Sequence, residues 1–206
     1  DHRFLAAGQL DEIGIQAQSI ILEPCPKDTA AAITVAALKL QSLQGGDSIM
    51  AVFPADHDIQ NSPSFNQAID KAAALAAKDK MVVCGVEPEN PNTQYGYIEV
   101  ADKNSNIVKR FVEKPDAATA QDMLADGNYL WNAGIFLFSV ATIIDAFQTH
   151  APQLMAPVQA AVDGMQSDLN FFRLDADAWA QSEDISTDYT VMEKPDNLSF
   201  VLSTAA

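Results

Sequence analysis

Basic residues are scarce in this chain: 12 Lys and Arg stand against 28 Asp and Glu among 206 residues, a formal net charge of −16. That balance excludes nonspecific nucleic-acid or anionic-membrane binding as a basis for function, so neither nucleic acid nor membrane is an expected partner. Much of the acidity reads simply as a solvated, solubilising surface. Cysteine is scarcer still. Cys25 and Cys84 each end an apolar run with no histidine or second cysteine at metal-ligand spacing, which argues against a disulfide framework and predicts two buried free thiols in a reducing compartment. No apolar run approaches the roughly 20 residues that span a bilayer, and no basic stretch followed by an apolar core opens the chain, so a cytoplasmic location is expected. Internal repeats, low-complexity tracts and linkers are also lacking, which leaves one domain.

What is present is enough apolar material for a sizeable core, with 48% hydrophobic residues. Short runs rich in β-branched residues, at 19–22, 48–53 and 81–86, alternate with amphipathic or Ala-rich stretches at 30–43 and 64–77. This alternation predicts βαβ units: an α/β, Rossmann-like domain with a mixed, mostly parallel central sheet flanked by helices. Residues 97–100 and 107–112 flank a polar turn and predict an antiparallel hairpin. Helices are expected at 117–125, 141–147 and 152–165, and strands at 135–138 and near 200–203. The first residues read as the middle of a helix and the last as a strand cut short, so both ends suggest a piece of something longer.

The strong net negative charge means that any phosphorylated substrate needs a local cation or a helix N-terminus. Asp56, in Pro54-Ala55-Asp56-His57, lies just past the carboxyl end of an apolar strand that reads as central, where open α/β sheets bind ligands. A carboxylate there suits Mg²⁺, or equally caps the next segment. His57 has no partner spaced for metal or nucleophilic chemistry and reads as structural. In Arg110-Phe111-Val112-Glu113-Lys114-Pro115, Pro115 predicts an extended Lys114, so that Glu113 and Lys114 project to opposite sides unless the chain turns. The carboxylate suits sugar hydroxyls and the ammonium a phosphate; a plain surface strand end is the alternative. Gly96, between Tyr95 and Tyr97, marks either a close backbone approach to a ligand or a bulge glycine. Asn132, the lone amide in Leu130-Trp131-Asn132-Ala133-Gly134, must find hydrogen-bond partners. Glu23, Lys27, Asp28 and Thr29 lie past another strand, where Asp28 or Thr29 can cap a helix whose N-terminus is a candidate anion seat.

The order and spacing of these pieces, with Ile21-Leu22-Glu23-Pro24, Tyr95-Gly96-Tyr97-Ile98, Phe111-Val112-Glu113-Lys114-Pro115-Asp116, Trp131-Asn132-Ala133-Gly134-Ile135-Phe136 and Asp188-Tyr189 before Val191-Met192-Glu193-Lys194, resemble the nucleotidyltransferase part of the mannose-1-phosphate guanylyltransferases over essentially the whole chain. The resemblance implies transfer of a guanylyl group from GTP to mannose-1-phosphate, with Mg²⁺ as cofactor on Asp56 and Lys114 on the sugar-phosphate phosphate. Glu113, Asn132 and the Gly96 backbone would face the hexose, and Glu23, Lys27, Asp28 and Thr29 the nucleotide. GTP and mannose-1-phosphate are the expected partners, and a homo-oligomer is compatible. Residues 1–206 would form a partial nucleotidyltransferase domain, because the family's glycine-rich triphosphate loop and a second metal-binding aspartate have no counterpart here, and the chain by itself is expected to be a poor catalyst. Lys27-Asp28 stands where the family more usually has Arg-Asn, which keeps UTP- or dTTP-dependent transfer to another hexose-1-phosphate open. A non-catalytic sugar-phosphate binding module and a ligand-free structural domain are the rival classes.

Overall fold

The computed structural model describes residues 2–169, 171–194 and 197–203. In chain order its elements are α1 (His2–Glu12), β1 (Ile20–Leu22), α2 (Thr29–Gln44), β2 (Ile49–Val52), α3 (Ser62–Ala76), β3 (Met81–Val86), β4 (Tyr97–Val100), β5 (Val108–Val112), α4 (Ala117–Asp126), β6 (Tyr129–Ser139), α5 (Val140–His150), α6 (Pro152–Asp163), β7 (Gln166–Asp168), β8 (Phe171–Arg173), α7 (Ala176–Ala180), a π-helical turn (Asp188–Met192) and β9 (Leu198–Leu202).

The central sheet runs in the order β5-β4-β6-β3-β9, with β2 also paired to β6. β6 is its axis. One edge of β6 is antiparallel to β3; the other pairs first with β4, through residues 129–131, and then with β2, through residues 136–139. β9 is parallel to β3 and β5 antiparallel to β4. It follows that β2, β3, β4 and β9 point one way and β5 and β6 the other. The sheet is mixed, as expected, with most strands sharing a direction; β6, running against them through the middle, makes most hydrogen-bonded neighbours antiparallel.

The Ala-rich α2 starts at an Asp28 cap and stops at Gly45, whose φ of 87° is open to glycine. Its small buried side chains let α5 and α6 pack closely, and these three helices cover one face of the sheet. The opposite face carries α3, capped by Asn61, which buries Ala68, Ala72 and Ala76 at four-residue spacing against β3, β6 and β9. β3 is buried on both faces along Met81–Gly85 in the manner of a central strand.

Three expectations are corrected here. β1 is half-buried and pairs with β8 in a separate three-stranded sheet, so α2 links two sheets, while α3 is a crossover within one. β2 pairs with β6 alone among the described residues, making it an edge strand rather than a central one. Cys25 is exposed while Cys84 is buried, and burial pushes the Cys84 thiol up to about 12.

Candidate functional site

Because β4 and β2 share one edge of β6, a gap opens between them opposite residues 132–135. There β6 bulges: Val83 pairs with Phe136 but Gly85 with Asn132, so residues of β6 are left over between the two pairs. A bulge beside a site re-aims side chains that a regular strand would send into the ladder. Gly134 closes it at a φ of 67°. The Asn132 peptide N–H remains tied to the Gly96 carbonyl at 2.8 Å.

A cavity of about 420 Å³ occupies this gap. Asp56 and His57, just past the end of β2, line one side; Val86, at the end of β3, and Tyr95, Trp131 and Asn132 line the rest. The ends of β2 and β3 are their carboxyl ends, the crevice in which open α/β sheets hold ligands. Tyr95 and Trp131 meet edge to face at 5.0 Å. Asp56 is exposed, and Asp58 lies in the same lining. No three His, Cys, Asp or Glu side chains converge among the described residues, so no all-protein metal cage is built. A lone carboxylate does fit Mg²⁺, which keeps most of its shell in water and phosphate oxygens and takes one or two carboxylates from the protein.

Lys114 departs from the extended geometry expected before Pro115. Its φ is 43°, a left-handed conformation that costs a non-glycine residue about 1–2 kcal/mol, and the resulting turn brings its Nζ to 3.0 Å from Glu113 Oε1. The Glu113 side chain is only 7% exposed while that of Lys114 is 54% exposed. One partner is thus enclosed and the other reaches solvent. The hydrogen bond and charge of Glu113 raise the Lys114 ammonium, so it stays fully charged.

Gly96 does not have the positive φ of a bulge glycine. A Cβ built there would fall 2.6 Å from Glu113 Oε2 and 3.0 Å from the Phe111 ring; the missing side chain is the space that holds the Glu113 carboxylate.

Asn132 finds its partners inside the protein. Its Nδ2 donates to Asp188 Oδ1 at 2.9 Å, and its Oδ1 accepts from the Gly134 N–H at 2.9 Å. Asp188, on the π-helical turn, stands out in the sequence only as part of a motif. Burial, then the nearby Glu113 charge, pushes its carboxyl up to about 6, against the opposing pull of its own backbone N–H, Asn132 and Lys114. Glu193 accepts the Glu113 backbone N–H at 3.4 Å. Asp56 and Asn132 therefore share a cavity, and Asn132 is hydrogen-bonded to Asp188, whose carboxyl feels the charges of Glu113 and Lys114; Gly96, Glu113 and Lys114 are not among the residues that line the cavity.

Residues 23–29 are instead clasped by residues 179–187. Lys27 Nζ donates to the Ser182 carbonyl at 2.7 Å, the Asp28 N–H to Asp184 Oδ1 at 2.7 Å, and the Thr187 N–H to Thr29 Oγ1 at 2.9 Å. The fully buried Trp179 donates from Nε1 to the Cys25 carbonyl at 2.8 Å. The Asp28 carboxylate takes the first N–H of α2, so the N-terminus of that helix already faces an anion of its own. The Glu23 carboxyl is raised by desolvation ahead of the opposing Lys27 backbone N–H. None of these four residues is among those lining the cavity.

Residues 1–185 match the Nucleotidyl transferase family. The chain is 45% identical over 195 residues to the xanthan biosynthesis protein XanB of Xanthomonas campestris pv. campestris, covering 94% of this chain and 42% of that protein. It is 41% identical over 206 residues to the mannose-1-phosphate guanylyltransferase of Sinorhizobium fredii, covering 98% and 40%. The chain thus spans about two fifths of the length of these curated relatives. The crystal structure of a mannose-6-phosphate isomerase from Helicobacter pylori superposes with a TM-score of 0.90 at 31% identity, over 99% of this chain and 79% of that one.

Proposed function

The chain belongs to the nucleotidyl transferase family, and from that premise we propose that it carries the site for transfer of a guanylyl group from GTP to mannose-1-phosphate, giving GDP-mannose and pyrophosphate. The observation that carries this reading is the shared cavity, with the exposed Asp56 on one side and Asn132 on the other, the latter hydrogen-bonded to Asp188, whose carboxyl feels the charges of an ion pair whose ammonium reaches solvent. A net charge of −16 repels both anionic substrates at long range. Local cations are therefore required, and Lys114 is the charged group poised to supply one.

In the reaction a phosphate oxygen of the sugar phosphate attacks the α-phosphorus of the nucleotide in line; one P–O bond forms as the bond to the departing pyrophosphate breaks. No covalent enzyme intermediate is needed, so the protein contributes orientation and charge neutralisation. Asn132 and the Glu113 carboxylate, seated in the space left by Gly96, orient the hexose hydroxyls, and Lys114 holds the sugar phosphate. Asp56 is the residue that would hold Mg²⁺, which when bound supplies charge neutralisation on the transferring phosphates. Residues 23–29, outside the cavity lining, would lie toward the base of the nucleotide, with Lys27 as a tether rather than a phosphate ligand. The names of the relatives support GDP-mannose synthesis for a polysaccharide product, and the exposed Cys25 thiol supports a cytoplasmic, reducing setting.

Turnover of the whole protein with GTP, UTP and dTTP, each against mannose-1-phosphate and glucose-1-phosphate, tests the reading. GTP with mannose-1-phosphate is expected to lead. A clear preference for UTP with glucose-1-phosphate refutes the guanylyl assignment, and saturable sugar-phosphate binding without turnover points instead to a binding module.

A further inference from the structure

We propose that Asp188 is a positioning residue: its hydrogen bond to Asn132 Nδ2, acting with the Gly134 N–H on Asn132 Oδ1, holds that amide one way round, and so sets the hydrogen-bond pattern the cavity offers to the hexose of a sugar phosphate. The role rests on the hexose-1-phosphate reading above and extends it to a residue that does not line the cavity.

A carboxamide has two N–H donors and two carbonyl lone pairs. At Asn132 one donor goes to Asp188 Oδ1 and one lone pair to the Gly134 N–H, both at 2.9 Å. Ionised Asp188 can only accept, and a peptide N–H can only donate. Flipping the amide would set oxygen against oxygen and N–H against N–H, losing both bonds at once. One orientation is therefore enforced, and what remains for the cavity is one N–H and one lone pair, a pattern that fits two adjacent hydroxyls, one accepting and one donating. Asp188, as an acceptor-only partner, supplies half of the enforcement; a side-chain amide in its place could itself rotate to meet either end of Asn132, which would leave the Gly134 N–H as the one remaining constraint.

The charge comes at an electrostatic cost, which argues against a purely structural link. Asp188 feels the charges of the enclosed Glu113 carboxylate and of the Lys114 ammonium past the end of β5 and is hydrogen-bonded to Asn132 on β6, Tyr189 acts on Lys114, and Glu193 caps the Glu113 backbone N–H. Two carboxylates share one cation. The resulting rise of the Asp188 carboxyl to about 6 means that mild acid would weaken its share of the hold on the Asn132 amide, leaving the Gly134 N–H as the remaining constraint.

The test uses the whole protein with mannose-1-phosphate and GTP, comparing wild type, Asp188→Ala and Asp188→Asn. Losing one enforced hydrogen bond at the hexose should raise the KM for mannose-1-phosphate about tenfold in Asp188→Ala and leave that for GTP within about twofold. Asp188→Asn should recover part of this at pH 7, since its carbonyl still accepts. The ligand phosphate titrates in the same range, so the pH profile is read as the difference between wild type and Asp188→Asn: between pH 7 and 5 wild type should lose more affinity. In the free protein, the Asn132 side-chain amide NMR signal should move with pH through about 6 in wild type and stay fixed in Asp188→Asn. An Asn132 signal indifferent to Asp188→Ala, or equal KM changes for both substrates, overturns the positioning role. If the Asn132 signal responds but no hexose-1-phosphate saturates the wild-type protein, the substrate reading falls and the hexose part of this proposal falls with it.

Discussion

A Cβ at position 96 would lie 2.6 Å from Glu113 Oε2, so the smallest residue in the chain is what seats the carboxylate that pairs with Lys114. Gly96→Ala must push Glu113 or the Phe111 ring aside. Overpacking of this kind costs about 1–3 kcal/mol. The displaced carboxylate also leaves its place beside Lys114, so the KM for sugar phosphate should rise along with the loss of melting temperature. Unchanged stability and kinetics would show that the loop relaxes freely and that Gly96 has no special place.

Lys114 combines a charge with a left-handed backbone, and the two are separable by substitution. Lys114→Ala and Lys114→Gly both remove the ammonium, and both should raise the KM for mannose-1-phosphate about 10- to 100-fold, the value of a charge-assisted contact to phosphate, with a smaller effect on GTP. Glycine accepts the φ of 43° without strain, so Lys114→Gly should be the more stable of the two by about 1 kcal/mol in chemical denaturation. Equal effects on both substrates would remove Lys114 from the sugar-phosphate end of the site.

Asp56 is exposed at the end of an edge strand and contributes little to packing. Asp56→Ala should change stability by no more than about 0.5 kcal/mol while lowering turnover at least about a hundredfold through loss of the metal's phosphate neutralisation. A large fall in melting temperature with activity retained would make Asp56 a structural turn residue.

Some of this geometry was legible in the sequence and some was not, for identifiable reasons. α3 and β3 were readable because their caps, spacing and β-branched content all agree with the tertiary outcome. β6 was read as residues 135–138 only, since Asn132 and Gly134 interrupt the apolar run; the polar residue and the glycine belong to the bulge that shapes the cavity. Pro115 biases its predecessor toward extended geometry, yet Lys114 turns into the left-handed region and pairs with its own neighbour Glu113, whose carboxylate is seated in the space left by the distant Gly96, a contact that no local rule contains. Asp188 was legible as a motif letter and not as a buried acid, because its partners lie 56 and 75 positions away along the chain, at Asn132 and Glu113. Three apolar residues in a row, as in β1, look the same in either sheet.

Lys27 separates a nucleotide ligand from a tether. Its Nζ donates to the Ser182 carbonyl at 2.7 Å, closing part of the clasp that holds the start of α2. Lys27→Met keeps the aliphatic stem and removes the donor, and should cost about 1 kcal/mol of stability with the KM for GTP within about twofold of wild type. A tenfold rise in that KM at unchanged stability would place the ammonium on the nucleotide instead.

Asp188 should make the protein more stable in mild acid than at neutrality, a sign opposite to that of a salt-bridged carboxylate. Its folded value of about 6 lies above the ordinary 3.8, so between those two values the folded state binds more protons than the unfolded one. Stability therefore falls as pH rises from about 4 to above 6. The full difference, on the order of 3 kcal/mol at 1.36 kcal/mol per pH unit, is a penalty that wild type carries at pH 7 and sheds below pH 4. Asp188→Asn has no such carboxyl. It should be more stable than wild type at pH 7, and the two denaturation curves should converge as pH approaches 4. Parallel stability profiles for the two proteins across that window would mean that Asp188 titrates as it does in the unfolded chain, and that its burial beside Glu113 carries no electrostatic cost.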